Sequence, residues 1–394
     1  MSDRRIAIAH KDYDVRGGGE VFCRRLAEAI DAPLYVGRRN HKNEPDDAHL
    51  DIREIPLSRL DKWMIDRYGI TRTAAYALRW QAAGPELEAY DTVITSGNEP
   101  LWYVPSDEQT VLAYTHSTPR FMYDLYNRNM DFGGVMGRLA TLFNTAMRTV
   151  YESNVRRPDY WVANSDLVAR RIRRYWNIPE DQIRTVYPPV DVHQYEPDDA
   201  ETGESYVYLG RLDEMKRVDE AIKAFNQMPE RELVVVGEGP DGGRLRAMAN
   251  DNVRFTGFVD SATKREWFAR ARAVIYPPMN EDFGMVPIEA LAAGTPVIAV
   301  NEGFQRWQVR DGVNGLLYDR GELVAAVDRF ERGGVDMSEK QMAAWAQQFG
   351  IERFEREMTA AIADAQDMAA IESTIDWPDF DGDVPPDREA VADA

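Results

Sequence analysis

The segment Glu281–Ala299 reads EDFGMVPIEALAAGTPVIA, and its first nine residues, Glu281–Glu289, lie between the apolar stretches AVIYPP and TPVIAV. Proline is tolerated in the first turn of a helix, so a helix is expected to begin near Gly284 or Pro287 and to connect two buried strands. Ligands of open parallel sheets bind beyond the carboxyl ends of the strands, and Glu281 and Glu289 would both lie there. The alternative is that these acids only favour a helix N-terminus electrostatically.

Short apolar runs alternate with amphipathic segments of helical length along the chain, which is typical of doubly wound α/β domains. Strands are predicted at Ile6–His10, Thr92–Thr95, Val111–Tyr114 and Tyr160–Ala163, and again at Tyr206–Leu209, Leu233–Val236, Val253–Thr256, Ala273–Tyr276 and Pro296–Val300. Between the two series, Thr185–Val190 contains two prolines that stop regular structure. We therefore predict two Rossmann-like domains, residues 1–190 and 191–348. A disordered acidic tail is expected at 376–394.

Charge is distributed unevenly over the 394 residues, whose net charge is −20. The first 190 residues carry 26 basic and 26 acidic side chains, so the whole excess of acid follows them. This composition favours either adaptation to high salt or an approach to anionic surfaces through the neutral half. It argues against nucleic-acid binding, which needs a basic footprint.

The compartment is predicted to be the cytoplasm. The single cysteine, Cys23, excludes an internal disulfide framework and suits a reducing environment. No apolar run approaches the roughly 20 residues of a membrane span, and the N-terminus lacks the apolar region of a signal peptide. The basic residues Arg170–Arg174, with Arg156 and Arg157, allow peripheral contact with an anionic membrane or, alternatively, form a solvated helix face.

Two glycine-containing loops follow predicted strands and suit a phosphorylated ligand. After YVYL, the loop GRLDEMK begins at Gly210, where the backbone can approach a ligand, and carries two cations, Arg211 and Lys216. After the first strand, VRGGGE places Gly18 and Gly19 at the start of a helix. A solvated surface loop and a simple tight turn are the respective alternatives.

A third loop, YTHSTPRFMYD, places His116 directly after a strand. A lone histidine is more often structural than catalytic, but this position at the end of a strand raises the expectation of a functional role.

Together these segments resemble the family-four retaining glycosyltransferases, which have the GT-B fold of two Rossmann-like domains facing across a cleft. EDFGMVPIEALAAGTPVIA is similar to the E-x7-E signature with its following strand, GRLDEMK matches G-R-L-x-x-x-K, and the His116 segment resembles H-[ST]-x-x-R-[YF]-x-x-D of mannosyltransferase-like members. The resemblance covers roughly residues 4–365 and implies that the helix around 350–370 returns to the first domain. One departure is Trp307, where many members carry a glutamate.

The resemblance implies a site for each substrate. Arg211 and Lys216 would stabilise the leaving diphosphate, Glu281 would bind the donor sugar and His116 would contact it near the reacting centre. The remaining donor-binding residues would be Gly18, Gly19, Gly210, Val259, Phe283, Gly284, Met285, Val286 and Glu289. Arg120 and Asp124 would shape the acceptor side.

The implied reaction is metal-independent, needs no cofactor, and retains the anomeric configuration. It would move a hexose, with mannose favoured, from a GDP- or UDP-linked donor to a glycan or polyprenyl-linked acceptor.

Two other classes of function stay open. The sequence GEGPDG at Gly237–Gly242 satisfies the dinucleotide fingerprint G-x-G-x-x-G, with Asp260 further on, and allows an NAD-dependent oxidoreductase. The fingerprint normally follows the first strand of its domain, whereas here it follows the second. A protein that binds a nucleotide-sugar without turnover is the other alternative.

Overall fold

The computed structural model describes residues 5–13, 17–39, 49–66, 70–123, 134–195 and 202–374. The strands are β1 Ile6–His10, β2 Leu34–Val36, β3 Ile52–Glu54, β4 Thr92–Ser96, β5 Thr110–Thr115, β6 Tyr160–Ala163, β7 Ile183–Thr185, β8 Tyr206–Leu209, β9 Leu233–Val236, β10 Val253–Gly257, β11 Ala273–Tyr276, β12 Val297–Val300 and β13 Gly315–Tyr318. The helices are α1 Gly18–Ile30, α2 Arg59–Ile65, α3 Ile70–Ala82, α4 Gly84–Leu87, α5 Gly134–Asn154, α6 Asp166–Trp176, α7 Val218–Phe225, α8 Gly242–Met248, α9 Ser261–Arg270, α10 Met285–Ala292, α11 Gln305–Gln308, α12 Leu323–Gly333, α13 Glu339–Ala346 and α14 Ile351–Thr374.

The strands form two parallel sheets. The first has seven strands in the order β3-β2-β1-β4-β5-β6-β7, and the second has six in the order β10-β9-β8-β11-β12-β13. In each sheet the strand order reverses beside its first strand, between β1 and β4 in the first sheet and between β8 and β11 in the second. Such a reversal opens a crevice at the carboxyl edge of the sheet. The predicted α/β class with doubly wound sheets is confirmed.

Alternation of side chains along the strands builds a hydrophobic layer on each face of both sheets. In β1, Ala7 and Ala9 pack into one cluster while Ile8 packs into the opposite one. In β8, Tyr206 and Tyr208 belong to one face and Val207 to the other. Strands buried on both faces read as continuous apolar runs, which is why they could be located from the sequence.

The chain passes between the two sheets around Tyr187. Its ring lies 5.4 Å from that of Phe349 and 5.7 Å from that of Phe283, and its hydroxyl donates to Asp166 at 2.7 Å. The Val190 N–H donates to the Phe349 carbonyl at 3.0 Å. The segment around Tyr187, which links the two sheets, is therefore packed against Phe349, where the chain returns to the first sheet just before α14.

Helix α14 follows the second sheet in sequence but packs on the first. Phe354, Met358 and Ala361 are buried in the same cluster as Ile8 of β1. The helix expected around 350–370 begins at Ile351, directly after a 3₁₀ turn at Gln347–Phe349 where the chain changes domain. The predicted boundaries at 190 and 348 stay predictions, and the tail at 376–394 lies outside the described residues.

Replacing Met358 by alanine is expected to lower the free energy of unfolding by about 2–5 kcal/mol, because it leaves a cavity beneath the first sheet. Chemical denaturation measures the loss. The neighbouring exposed residue Thr359, changed to alanine, is the matched control and should alter stability by less than about 0.5 kcal/mol. Equal effects of both changes would contradict the packing of α14 on the first sheet.

Candidate functional site

Glu281 lies in the loop between β11 and α10, and its carboxylate is paired with Lys216. The Lys216 Nζ donates to Glu281 Oε2 at 2.6 Å, and both side chains are about one quarter exposed. The loop is fixed by its surroundings, since the Glu281 carbonyl accepts from Phe304 N–H at 2.8 Å and a Cβ on Gly303 would lie 2.4 Å from the Glu281 nitrogen. The GRLDEMK loop and the first acid of E-x7-E are thus brought together.

Helix α10 begins directly after a constrained glycine. Gly284 has φ +79°, and a Cβ there would lie 2.4 Å from the Tyr276 hydroxyl, so a side chain is excluded. Phe283 is buried, while Met285 and Val286 are half-buried at the helix N-terminus. The amides of this first turn are therefore placed where an anion is favoured.

Glu289, one turn into α10, is buried at 6% exposure and makes two contacts. Its Oε1 accepts from Lys264 Nζ at 2.6 Å and from the Tyr195 hydroxyl at 3.1 Å. Burial and the adjacent Glu289 carboxylate raise the pKa of Tyr195, so its hydroxyl remains a donor. Lys264 and Tyr195 were not predicted. They come from α9 and from the short turn Val192–Tyr195, and neither local sequence carries a recognisable motif.

Arg211 differs from Lys216 in that its side chain is 72% exposed and pairs with Asp213, Nε to Oδ2, at 2.6 Å. The loop itself packs against GEGPDG. A Cβ on Gly237 would lie 2.0 Å from the Gly210 carbonyl oxygen, and one on Gly239 would lie 2.3 Å from the Leu212 oxygen. Close contact between the two loops accounts for these glycines without a bound dinucleotide.

The first domain presents His116 and the glycines that begin α1. The His116 Nε2 lies 2.8 Å from Ser96 Oγ, and burial lowers the pKa of the imidazole to about 3, so it is neutral at physiological pH. A Cβ on Gly19 would come within 4.0 Å of His116 Nε2, and one on Gly18 would come within 3.2 Å of the Met285 methyl group. The glycine turn therefore reaches both His116 and the start of α10.

Several contacts join the loop that carries Glu281 to the first domain. Arg120 Nη1 donates to the Asn280 carbonyl at 3.0 Å. The Asp282 side chain, which is 14% exposed, pairs with Arg171 of α6, and the Ser165 hydroxyl donates to the Asp282 carbonyl at 2.5 Å. Arg120, predicted on the acceptor side, thus contacts the second domain. Asp124 lies outside the described residues.

A cavity of about 520 Å³ separates the glycine turn from the second sheet. Its lining includes the donor-side residues Gly18, Val259, Lys264, Met285 and Glu289. Phe258 also lines it and is 74% exposed. An open aromatic ring beside a pocket with a carboxylate is suited to a flat heterocycle carrying hydroxyl groups.

Two doubly wound sheets with their carboxyl edges facing each other, and this set of loops between them, define the GT-B fold. Residues 194–348 match the family model described as "Glycosyl transferases group 1". The GT-B fold implied by the sequence is confirmed, and the resemblance to glycosyltransferases is confirmed over residues 194–348.

Among similar proteins, a D-inositol 3-phosphate glycosyltransferase 2 from Catenulispora acidiphila is 30% identical over 200 residues, which are 43% of this chain and 47% of the relative. The corresponding enzyme of Kribbella flavida is 28% identical over 56% of this chain and 60% of its own. The chain spans about half of the length of the curated relatives it matches.

Among solved structures, sucrose-phosphate synthase from Thermosynechococcus elongatus superposes with a TM-score of 0.71 at 20% identity, covering 93% of this chain and 100% of its own. Anabaena HepE in complex with UDP-glucose has a TM-score of 0.69 at 17% identity, covering 91% and 99% respectively.

Removal of the Asp282 carboxylate by alanine is expected to destabilise the protein by about 3–5 kcal/mol, because it takes away the carboxylate that pairs with the buried Arg171 guanidinium. Replacing both residues by apolar ones (Arg171→Met with Asp282→Leu) should restore most of this loss, measured by chemical denaturation. A double variant as unstable as the single one would show that the ion pair is not the interaction responsible.

Proposed function

We propose that the protein transfers a hexose from a nucleotide-sugar donor to an acceptor, with retention of configuration and without a metal ion. The observation that carries the proposal is the paired arrangement of two acids and two lysines in the second domain. Glu281 is paired with Lys216 and Glu289 with Lys264, each at 2.6 Å, beside the N-terminus of one helix.

The acids suit the hydroxyl groups of the donor. A carboxylate has about four lone-pair positions, so one bond from a lysine leaves room for a vicinal diol. In the proposal Glu281 binds the sugar hydroxyls and Glu289 binds the ribose hydroxyls, with Val259 and Phe258 against the base.

The cations suit the leaving group. Lys216 is held next to Glu281, and Arg211 is exposed on the same loop with freedom to turn toward a diphosphate. Charge that develops on the leaving phosphate is stabilised by such donors and by the first amides of α10, from Phe283 to Val286. Front-face attack, in which the donor diphosphate helps to remove the acceptor proton, requires no protein nucleophile. His116 contacts the sugar from the first domain.

The donor sugar and the acceptor are proposed as classes of compound. The His116 segment favours mannose from GDP-mannose, whereas HepE, with the same fold, was solved with UDP-glucose, so GDP and UDP donors are both included. A glycan or polyprenyl-linked acceptor would bind near Arg120 in the first domain.

The proposal extends to contact with a membrane-borne acceptor through the basic helix α6, where part of the positive charge is already paired. Arg171 is paired with Asp282 and Arg173 with Glu180. Arg157 donates to two backbone carbonyls. None of the helices in the described part of the chain is both long and apolar enough to span a bilayer.

Lys216→Ala and Arg211→Ala are each expected to lower kcat by roughly 10²–10³-fold, because each removes a cation from the developing phosphate charge. Initial rates of sugar transfer, measured in EDTA-containing buffer, check this. Lys223→Ala, an exposed lysine of α7 paired with Asp219, is the matched control and should retain full activity. Near-wild-type rates in both site variants, or dependence on an added divalent ion, would contradict the mechanism.

Nucleoside diphosphates and their sugar conjugates are expected to raise the melting temperature, because a ligand that binds only the native state stabilises it by about 2.7 kcal/mol at 100 times its Kd. A thermal-shift screen of GDP, UDP, their sugars and NAD, at low and high salt, measures this. Glu289→Ala should abolish the shift, whereas Glu322→Ala, on the surface of the same domain, should leave it intact. Stabilisation by NAD alone would favour the oxidoreductase alternative.

A further inference from the structure

Two histidines of the first domain meet at one serine. His10 ends β1, Ser96 ends the adjacent β4, and His116 follows β5 on the other side of β4. Ser96 Oγ lies 3.0 Å from His10 Nδ1 and 2.8 Å from His116 Nε2. The serine hydroxyl thus connects the two imidazoles at the carboxyl edge of the sheet.

The proton on His10 can be located from its partners. His10 Nδ1 is 3.1 Å from the backbone carbonyl oxygen of Ser96, and a carbonyl oxygen can only accept, so Nδ1 carries a hydrogen. The ring is fully buried, and this burial lowers its pKa well below the ordinary value. A neutral imidazole with a hydrogen on Nδ1 has none on Nε2.

The hydrogen on Ser96 Oγ is then assigned by counting donors. A hydroxyl has one hydrogen and two lone pairs. The lone pairs are taken by His10 Nδ1–H, whose hydrogen is shared between Ser96 Oγ and the Ser96 carbonyl oxygen, and by the Cys23 thiol, which donates at 3.4 Å. The hydroxyl hydrogen is left to His116 Nε2, which must accept it. Since His116 is neutral, its own hydrogen resides on Nδ1.

We infer that His10 is a positioning residue that acts through Ser96 to hold His116 in the Nδ1–H tautomer. The inference rests on the proposed function, in which His116 contacts the donor sugar, and it specifies the contact as donation of a hydrogen bond from Nδ1. The hydrogen bond made by one ring nitrogen fixes the state of the other. His10 itself does not touch substrate, because it is fully buried and Gly19 lies over it, with a Cβ position 3.4 Å from His10 Cε1.

The tautomer is read directly by long-range ¹H–¹⁵N correlation spectra of protein labelled on its five histidines, with a His116→Gln sample to assign the signals. The wild-type protein should show His116 with hydrogen on Nδ1. Ser96→Ala and His10→Leu should produce a mixture with the Nε2–H form. His10→Asn should preserve the wild-type state, because the asparagine amide supplies a donor near the position of Nδ1. The same changes at the exposed His49, to leucine and to asparagine, are matched controls and should have no effect.

Kinetics provide the second measurement. Ser96→Ala and His10→Leu should lower kcat about tenfold, the effect of one misdirected hydrogen bond, with the donor KM within about twofold of wild type. His10→Asn should restore most of the rate. An Nε2–H form of His116 in the wild-type protein, or equal tautomer populations in His10→Leu and His10→Asn, would overturn the inference. The spectra require no turnover, so the expected tautomers in a protein that transfers no sugar would reject the proposed function and leave the positioning role standing.

Discussion

The ion pair between Asp282 and Arg171 joins the two halves of the molecule at the point where the site is built. Asp282 follows Glu281 directly, so whatever holds Asp282 against the first domain also holds the loop that presents Glu281. Burial raises the pKa of Asp282 even though Arg171 acts in the opposite direction. A pair whose desolvation is this costly contributes little net stability and mainly specifies geometry. Its consequence is the position of the Glu281 loop against the first domain.

The same loop is held from its own domain by different means. Within the second domain, the loop is restricted by backbone contacts with the 303–304 turn, by the positive φ of Gly284 and by the Lys216 ion pair. Arg120 and Ser165 hold it from the first domain. Glu281 is therefore preorganised rather than free to adapt. Electrostatic stabilisation of a reacting group depends on such preorganisation, because little reorganisation then accompanies the change of charge.

The fold could be predicted from the sequence to the extent that strands were buried on both faces. β1 and β6 were predicted to the residue, because continuous apolar runs are unambiguous when loops of turn-forming residues flank them. β2, β3 and β7 were missed: each has three residues, and β3 and β7 are at the edges of the sheet, with polar side chains such as those of IRE and IRT. β13, with the sequence GLLY, was also not predicted.

The candidate site was predictable only where a motif carries it. The acids and Lys216 belong to recognisable segments, and the structure brings them together. The partners Lys264, Tyr195 and Ser96 are separated from them by many residues and are supplied by packing alone. Their positions depend on strand order, which local sequence does not encode. His10 was assigned to a strand, yet its contact with Ser96 depends on β1 lying beside β4.

Charge links the site to the rest of the chain. All of the net −20 follows residue 190, and residues 191–348 carry 18 basic and 28 acidic side chains, so the second domain as a whole repels an anionic ligand such as the proposed donor. Lys216 and Lys264 oppose this repulsion locally, each within 2.6 Å of a carboxylate in a partly buried setting. Salt screens the two effects unequally: the Debye length falls from about 10 Å at 0.1 M to about 3 Å at 1 M, which removes the long-range repulsion and spares contacts of hydrogen-bonding length. High ionic strength therefore favours entry of the proposed donor while leaving the contacts that would hold it in place.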